Sequence, residues 1–516
     1  MKKNISRESK SRSKAKASML TLICKLVSSF VATITNIILV NLIINGYGPE
    51  VNGLTSSLNH FVTMFSVLEG GITTAAIVAS YKPIIDKNYE ELNSILSYTR
   101  KFLNKIAAIF VITSLVAGGI YIAFIDSPEG YWMTWWIVFF SVITSCISMC
   151  IIPQYTILLH GFNEEYIILF INTIIKIFTF LISLIVVLNH ERILYTFVAN
   201  LCGVILNVLI LHCYQKSKYP QINYNATATK LVHGTKDVAL QKVLNIIFDF
   251  TDVFLISIAI SLTMASVYNL NNQIYSSIYT IVIAVILAPN NSIAILFRED
   301  KMRFKKVFET YRIVAYIVIA VLLTTTGCMI KSFFELYISV DVQVEYFNPV
   351  LNILFFSFFF LRAVSSIYGG VINLSGQFCL QNKQLIIAMI TNISMSILLM
   401  IKYETIGIIA GSVLAMMIML FMNMKQACKY VIQRSFLREI ILVIIYYAVS
   451  AILVYVGGDI IIGLKITSYL QWVSCALIVM SLSVVFWSVF SLLFQYKQLK
   501  ELFIYIKKYI HKKSLR

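Results

Sequence analysis

Long apolar blocks separated by short polar segments run through this chain. Breaking it at that polar punctuation gives fourteen blocks, at residues 18–45, 54–80, 103–125, 131–159, 166–188, 193–214, 238–261, 266–297, 311–330, 347–375, 385–401, 405–424, 440–456 and 469–494. A bilayer core about 30 Å thick takes about 20 apolar residues of helix. The pattern therefore predicts an all-α polytopic membrane protein with about fourteen transmembrane helices.

Polar residues inside the blocks fall into stripes. Lys25, Ser29 and Asn36 lie in the first block, Asn172, Lys176, Thr179 and Ser183 in the fifth, and Arg362, Ser366, Gly369 and Asn373 in the tenth. Steps of three and four, or their sums, place such residues on one helical face. A basic group at mid-bilayer costs about 2.5–3.5 kcal/mol on insertion scales, so these stripes should face protein or water. Acids accompany them. Glu69 precedes Gly70-Gly71, where the second helix could bend, and Asp249 and Asp252 share a face of the seventh, one turn after Asn245. The eighth block opens with Asn269, Asn271, Asn272 and Gln273, and Pro289 should kink or end its helix. Two plainer readings stand beside a functional one. The bases and acids could pair simply to fix helix register, and Lys25, about two turns from a helix end, could snorkel to the interface.

Composition and charge orient the chain. It is 59% hydrophobic and 13% charged, about half the charged share of a soluble domain. Of its 42 Lys and Arg residues, thirty-five fall in the two tails and in alternate loops, while Arg192, Lys331, Lys402 and Lys465 fall in the opposite loops. Lys105, Lys242 and Arg312, within the first five residues of their blocks, are counted with the adjoining loops, and Lys25, Lys176 and Arg362 are the three left deeper inside blocks. Such asymmetry puts both termini in the cytoplasm. The net charge of +18 is then an attraction to anionic lipid rather than to nucleic acid. The basic first 17 residues and the long run after them read as a tail and a permanent first span, not a cleavable signal. Nine scattered cysteines and six isolated histidines give no metal spacing, and no Gly-rich nucleotide loop precedes a helix. No catalytic constellation is visible, and the expectation is a protein that is not an enzyme and carries no cofactor.

Several segments resemble the bacterial polysaccharide-repeat-unit flippases of the multidrug/oligosaccharidyl-lipid/polysaccharide exporter superfamily. Gly48-Pro49-Glu50-Val51-Asn52-Gly53-Leu54 is similar to that family's Gly-x-Glu-x-x-Gly-Leu turn, and Leu68-Glu69-Gly70-Gly71-Ile72 to its Leu-x-Glu-x-Gly-Ile pattern. Tyr81-Lys82-Pro83-Ile84, Phe250-Thr251-Asp252, Val267-Tyr268-Asn269, Gly369-Gly370 and Gly407-Ile408-Ile409-Ala410-Gly411 follow in the family's order over residues 18–425. The resemblance implies two six-helix bundles in a V around a central cavity, at 18–214 and 238–424. A cytoplasmic loop at 215–237 joins them, two added helices follow at 425–494, and basic tails lie at 1–17 and 495–516.

It also implies alternating access in a bacterial plasma membrane, with an undecaprenyl-pyrophosphate-linked oligosaccharide as the substrate moved from the inner to the outer leaflet for capsule, O-antigen or a related surface polymer. Lys25, Lys176 and Arg362 would hold the anionic head group, with Asn36, Asn172, Ser366 and Asn373 as polar cavity residues. Glu69, Asp249 and Asp252 are the candidates for a coupling proton or sodium ion. Membrane lipid, a polysaccharide polymerase and glycosyltransferases are the expected partners. Competing readings are an organic-cation antiporter of the same superfamily, disfavoured by a first span that has Lys25 and no acid; a membrane polymerase or ligase, disfavoured by short outward loops; and a non-transporting scaffold.

Overall fold

A computed structural model of the chain describes residues 2–65, 72–226, 236–289, 293, 296–297, 299–338, 343–375 and 378–514. The described residues are helical, with no strand among them. The helices are α1 (Lys2–Tyr47), α2 (Pro49–Phe65), α3 (Ile72–Asp86), α4 (Tyr89–Ala123), α5 (Tyr131–Cys150), α6 (Ile152–Gly161), α7 (Glu165–Leu188), α8 (Leu194–Lys218), α9 (Lys236–Ala259), α10 (Leu262–Leu287), α11 (Lys301–Tyr337), α12 (Pro349–Leu374), α13 (Phe378–Gln426), α14 (Phe436–Ile462) and α15 (Tyr469–Ser514). A π-helical turn, Ala427–Ile432, follows α13.

Eleven stretches of helix among the described residues are long and apolar enough to cross a membrane. This makes the chain a multi-pass, all-α membrane protein. The predicted blocks reappear with three differences of physical origin. The block at 54–80 comprises α2 and α3, each short alone, with residues 66–71 outside the described residues. The block at 238–261 becomes α9, whose Lys242, Asp249 and Asp252 make it less apolar than a typical span. The blocks at 385–401 and 405–424 share α13, which Glu404 breaks with a left-handed φ of 49° and ψ of −128°. Elsewhere α5 and α6 form one crossing interrupted at Ile151, where Pro153 lacks the N–H that a continuous helix would use. α10 ends at Leu287, two residues before Pro289, as that proline requires. Asn290, Asn291 and Ser292 lie outside the described residues.

By contacts the chain forms two units, Met1–Ser266 and Val267–Arg516. In the first, α1 runs along α7, α7 along α8, α4 along α5, and α2 against α9. The turn from α1 to α2 shows why its sequence is glycine-rich. Gly48 has a φ of 94°, and Pro49 opens α2 with a ring already set to helical φ. Gly53 then lies against the chain at Leu262, whose carbonyl oxygen would be 1.8 Å from any added Cβ. Beside it the Asn52 amide donates to the Ser266 hydroxyl at 2.7 Å. The segment after α8 is docked rather than loose. Asn93 on α4 donates to the Gln221 carbonyl and accepts from the Asn223 N–H, and Arg100 donates to Asn225. Residues 227–235 lie outside the described residues.

The second unit is held by a charge cluster that the loop-by-loop charge count misplaced. A loop-by-loop count places Arg312 among the loop bases, yet α11 begins at Lys301 and carries Arg312 well inside the helix, buried. Its guanidinium pairs with Glu439, near the start of α14; the two side chains are 3% and 1% exposed. Three tyrosines extend the cluster. The Tyr368 hydroxyl of α12 donates to Glu439 at 2.9 Å and bonds the Tyr316 hydroxyl at 2.6 Å. The Tyr316 ring meets Tyr446 of α14, which stacks on Trp487 of α15 and bonds Ser491. Arg434, just before α14, pairs with Glu309 on α11. The appended helices α14 and α15 are thereby tied to α11 and α12.

Two stability predictions follow from this packing. Breaking the buried pair from one side, with Glu439→Leu or Arg312→Met, should cost about 3–5 kcal/mol, because it strands a charge. The double variant Arg312→Met/Glu439→Leu should recover most of that loss; thermal unfolding in detergent, read as a double-mutant cycle, checks it, and additive losses would refute the coupling. Separately, a Cβ at Gly411 would lie 2.5 Å from the Ser396 backbone N, whereas one at Gly458 meets nothing within 4 Å. Gly411→Ala should therefore cost about 1–3 kcal/mol by overpacking. Gly458→Ala, in the interior of α14, should stabilise by up to about 1 kcal/mol through helix propensity. Melting shifts of the same sign would contradict this account.

Candidate functional site

The Lys176 stripe opens onto a pocket within the first unit. The cavity, about 260 Å³, is lined by Asn59, Val62 and Thr63 of α2, Ser141, Thr144 and Ser145 of α5, Asn172, Ile175, Lys176 and Thr179 of α7, and Phe197, Asn200 and Val204 of α8. Its geometry is set by a close helix crossing. A Cβ on Gly203 of α8 would fall 2.1 Å from the Thr179 methyl, so glycine lets α7 and α8 approach directly beside the pocket. One turn along, the Asn207 amide donates to the Asn172 side-chain oxygen at 2.7 Å, fixing the Asn172 orientation.

The lining has a definite chemical sense. Lys176 is its one charged residue, and no carboxylate lines it among the described residues. With its oxygen occupied by Asn207, Asn172 offers its NH₂ as donor, as the amides of Asn59 and Asn200 also can. The threonines are arranged oppositely. Thr63 donates to the Asn59 carbonyl, Thr144 to that of Phe140 and Thr179 to that of Lys176. In Thr144 and Thr179 the hydroxyl proton is spent on the residue's own helix, and the oxygen can still accept. The pocket thus combines an ammonium and amide donors suited to an anion with hydroxyl acceptors suited to O–H donors.

Other predicted site residues are placed as follows. Lys25 and Asn36 are exposed on α1 and are not among the pocket residues. Arg362 is half-buried on α12, its guanidinium 5.2 Å from the Tyr279 ring centroid and 5.8 Å from that of Phe358. Ser366 bonds Tyr279 at 3.2 Å and back-bonds to the Arg362 carbonyl, so these three form one polar-aromatic group in the second unit. Asn373 is half-buried near the end of α12. On α9, Asp252 is buried and Asp249 half-buried. Glu69 lies outside the described residues. Among the described residues, no group of three or more His, Cys, Asp or Glu side chains could hold a metal ion.

Of the residues lining the pocket, the polar stripes of the sequence single out Asn172, Lys176 and Thr179 of α7 and not those of α2, α5 and α8. Asn59 and Thr63, four apart on α2, and Ser141, Thr144 and Ser145 on α5 obey the same face rule as Lys176. They carry no charge, however, and uncharged hydroxyls in apolar helices often back-bond to their own carbonyls, so the signal was there but weak.

No protein-family model matches the sequence, and no curated protein matches it significantly. Solved structures do match the fold. The lipid II flippase MurJ in an inward closed conformation aligns at a TM-score of 0.66 and 14% identity, over 92% of this chain and 99% of its own. An inward-facing multidrug-resistance transporter of the MATE family, in the MOP superfamily, aligns at 0.63 and 12%, over 79% of this chain and 98% of its own. A MOP-superfamily transporter from Pyrococcus furiosus Vc1 (DSM3638), described with a binding pocket of reverse polarity, aligns at 0.51 and 12%, over 82% and 97%. At these identities the likeness is one of fold.

Proposed function

We propose that this chain is a transporter that flips an undecaprenyl-pyrophosphate-linked oligosaccharide from the inner to the outer leaflet of a bacterial plasma membrane by alternating access. The observation that carries the reading is the sign of the pocket: an ammonium among amide donors and hydroxyl acceptors, with no carboxylate among its described lining residues. A pyrophosphate is rejected by hydrocarbon and is stabilised by charge-assisted hydrogen bonds from such donors. Sugar hydroxyls, which need acceptors once stripped of water, find them in Thr144 and Thr179.

The fold shared with a lipid II flippase supports a lipid-linked substrate, and the fold shared with multidrug transporters leaves an organic-cation antiporter as the rival. Charge favours the lipid-linked substrate. A cation entering this pocket would meet Lys176 with no described carboxylate to offset it, a like-charge contact that disfavours binding. Arg362, held by Tyr279 and Phe358, is a second head-group contact in this proposal, and Lys25 a third. Asp252 and Asp249 on α9, with Glu69, are the proposed carriers of a coupling proton or sodium ion. The flipped product would pass to a polymerase, after glycosyltransferases had built it on the inner face.

Binding of a short undecaprenyl-pyrophosphate-linked oligosaccharide to the purified protein in nanodiscs tests the reading. A hydrogen bond to a charged group contributes about 1.5–3 kcal/mol, and each 1.4 kcal/mol is about tenfold in affinity. Lys176→Gln should therefore weaken binding by about tenfold to a hundredfold, and Lys176→Arg should retain most of it. Equal affinity for wild type and Lys176→Gln would remove the pocket from the mechanism. Saturable binding of an organic cation, improved by Lys176→Gln, would favour the antiporter.

A further inference from the structure

On the other face of α2 from the Lys176 pocket lies a second cavity, larger and of opposite character. It encloses about 420 Å³ between α2, α4 and α9 and presents no polar surface. Its back wall is a set of stacked rings. Phe61 and Tyr121 lie 5.4 Å apart, and both face Phe254, at 5.9 and 5.3 Å. The one polar atom among these rings is already satisfied, because the Tyr121 hydroxyl donates to Ser257 at 2.7 Å. A water in this space would find none of the two to four partners it needs.

The groove opens sideways. Ile120 and Phe124 form its rim and are 57% and 68% exposed. They continue an exposed apolar row on α4 through Val116, Ile112 and Ile109, at steps of three and four. That row is the surface a bilayer would cover, so the groove is continuous with the hydrocarbon phase.

Helix α2 relates the two cavities. Asn59, Val62 and Thr63 line the cationic pocket, whereas Phe61 and its neighbour Met64 line the groove. At about 100° per residue these sets fall on opposite faces of the same two turns. A site for an anionic, hydroxyl-rich head and a dry slot for a chain thus lie at one level along the helix, separated by its width. From this juxtaposition we infer that the α2–α4–α9 groove is a binding site for the polyprenyl chain of the lipid-linked substrate. This rests on the lipid-linked reading proposed above and adds where the chain is held while the head group occupies the Lys176 pocket. The ring wall offers flat faces to a branched, unsaturated chain, and the open rim lets that chain leave into the bilayer without crossing a polar surface.

Photo-crosslinking in nanodiscs of phosphatidylethanolamine and phosphatidylglycerol tests it, using undecaprenyl phosphate with a diazirine on the chain and, in parallel, phosphatidylglycerol with a diazirine on an acyl chain. The polyprenyl probe should label the peptides around Ala117–Phe124 and Phe254–Ile258 in preference to a lipid-facing control around Leu209 on α8. Unlabelled undecaprenyl phosphate should displace it and added phosphatidylglycerol should not. Ala117→Trp, which fills the groove, should reduce this labelling several-fold, and competition on the unaltered protein carries the test if that variant fails to fold. Equal labelling by both probes would make the groove an ordinary lipid contact and overturn the inference, as would labelling no stronger than at the control. Neither result touches the pocket, which Lys176→Gln tests by head-group affinity. Conversely, displaceable labelling by undecaprenol lacking any phosphate would keep the groove site even if Lys176 had no effect.

Discussion

A charge or polar group moved from water into an apolar helical bundle must either find its partners there or keep contact with a hydrated cavity. This constraint divides the ionisable groups of the chain into two kinds. Arg312 and Glu439 answer it by pairing, with Tyr368 supplying a further hydrogen bond to the carboxylate. Lys176 answers it by opening onto a polar pocket. The first solution closes the structure and the second leaves it reactive, which is why one is read as a fastening and the other as a site.

The fastening has a topological consequence. Glu439 begins α14, Arg312 and Tyr316 belong to α11, and Tyr368 belongs to α12. The last two crossings are therefore tied to α11 and α12 of the same unit by the costliest kind of contact to break, rather than by apolar packing alone. Tyr446 carries the connection from α14 on to Trp487 of α15. The number of crossings past residue 425 is thus part of the architecture of the second unit and not a loosely attached extension.

Much of the fold was legible because apolar block length is a coarse and durable signal. The blocks located the crossings, and the glycines in the stretches singled out as similar to the flippases proved to be close contacts, Gly53 against Leu262 and Gly411 against Ser396. The site was only half legible. The Lys176 stripe stood out because a charge inside a block is rare, while Asn59, Thr63 and the α5 hydroxyls did not, since they become a site only when folding sets them opposite Lys176. Arg312 was hidden for another reason. It lies next to a basic loop, and counting charge by loop assigns such a residue to water when the helix has already begun eleven residues earlier. Its signal was Tyr316, one turn along the same face, and a lone acid, Glu439, at the mouth of an apolar block.

The two cavities of the first unit extend the same reasoning from residues to ligand. Either alone is ambiguous: a small cationic pocket could take any phosphate, and an apolar groove could take any lipid. Their separation by a single helix is more restrictive, because it selects a molecule that is strongly polar and anionic at one end and long and apolar at the other. Such a molecule need not bury its chain in the polar pocket or drag its charge through hydrocarbon. On the proposed reading, each end of such a molecule stays in a medium that suits it, and the barrier to its transfer is the passage of the link between them past α2.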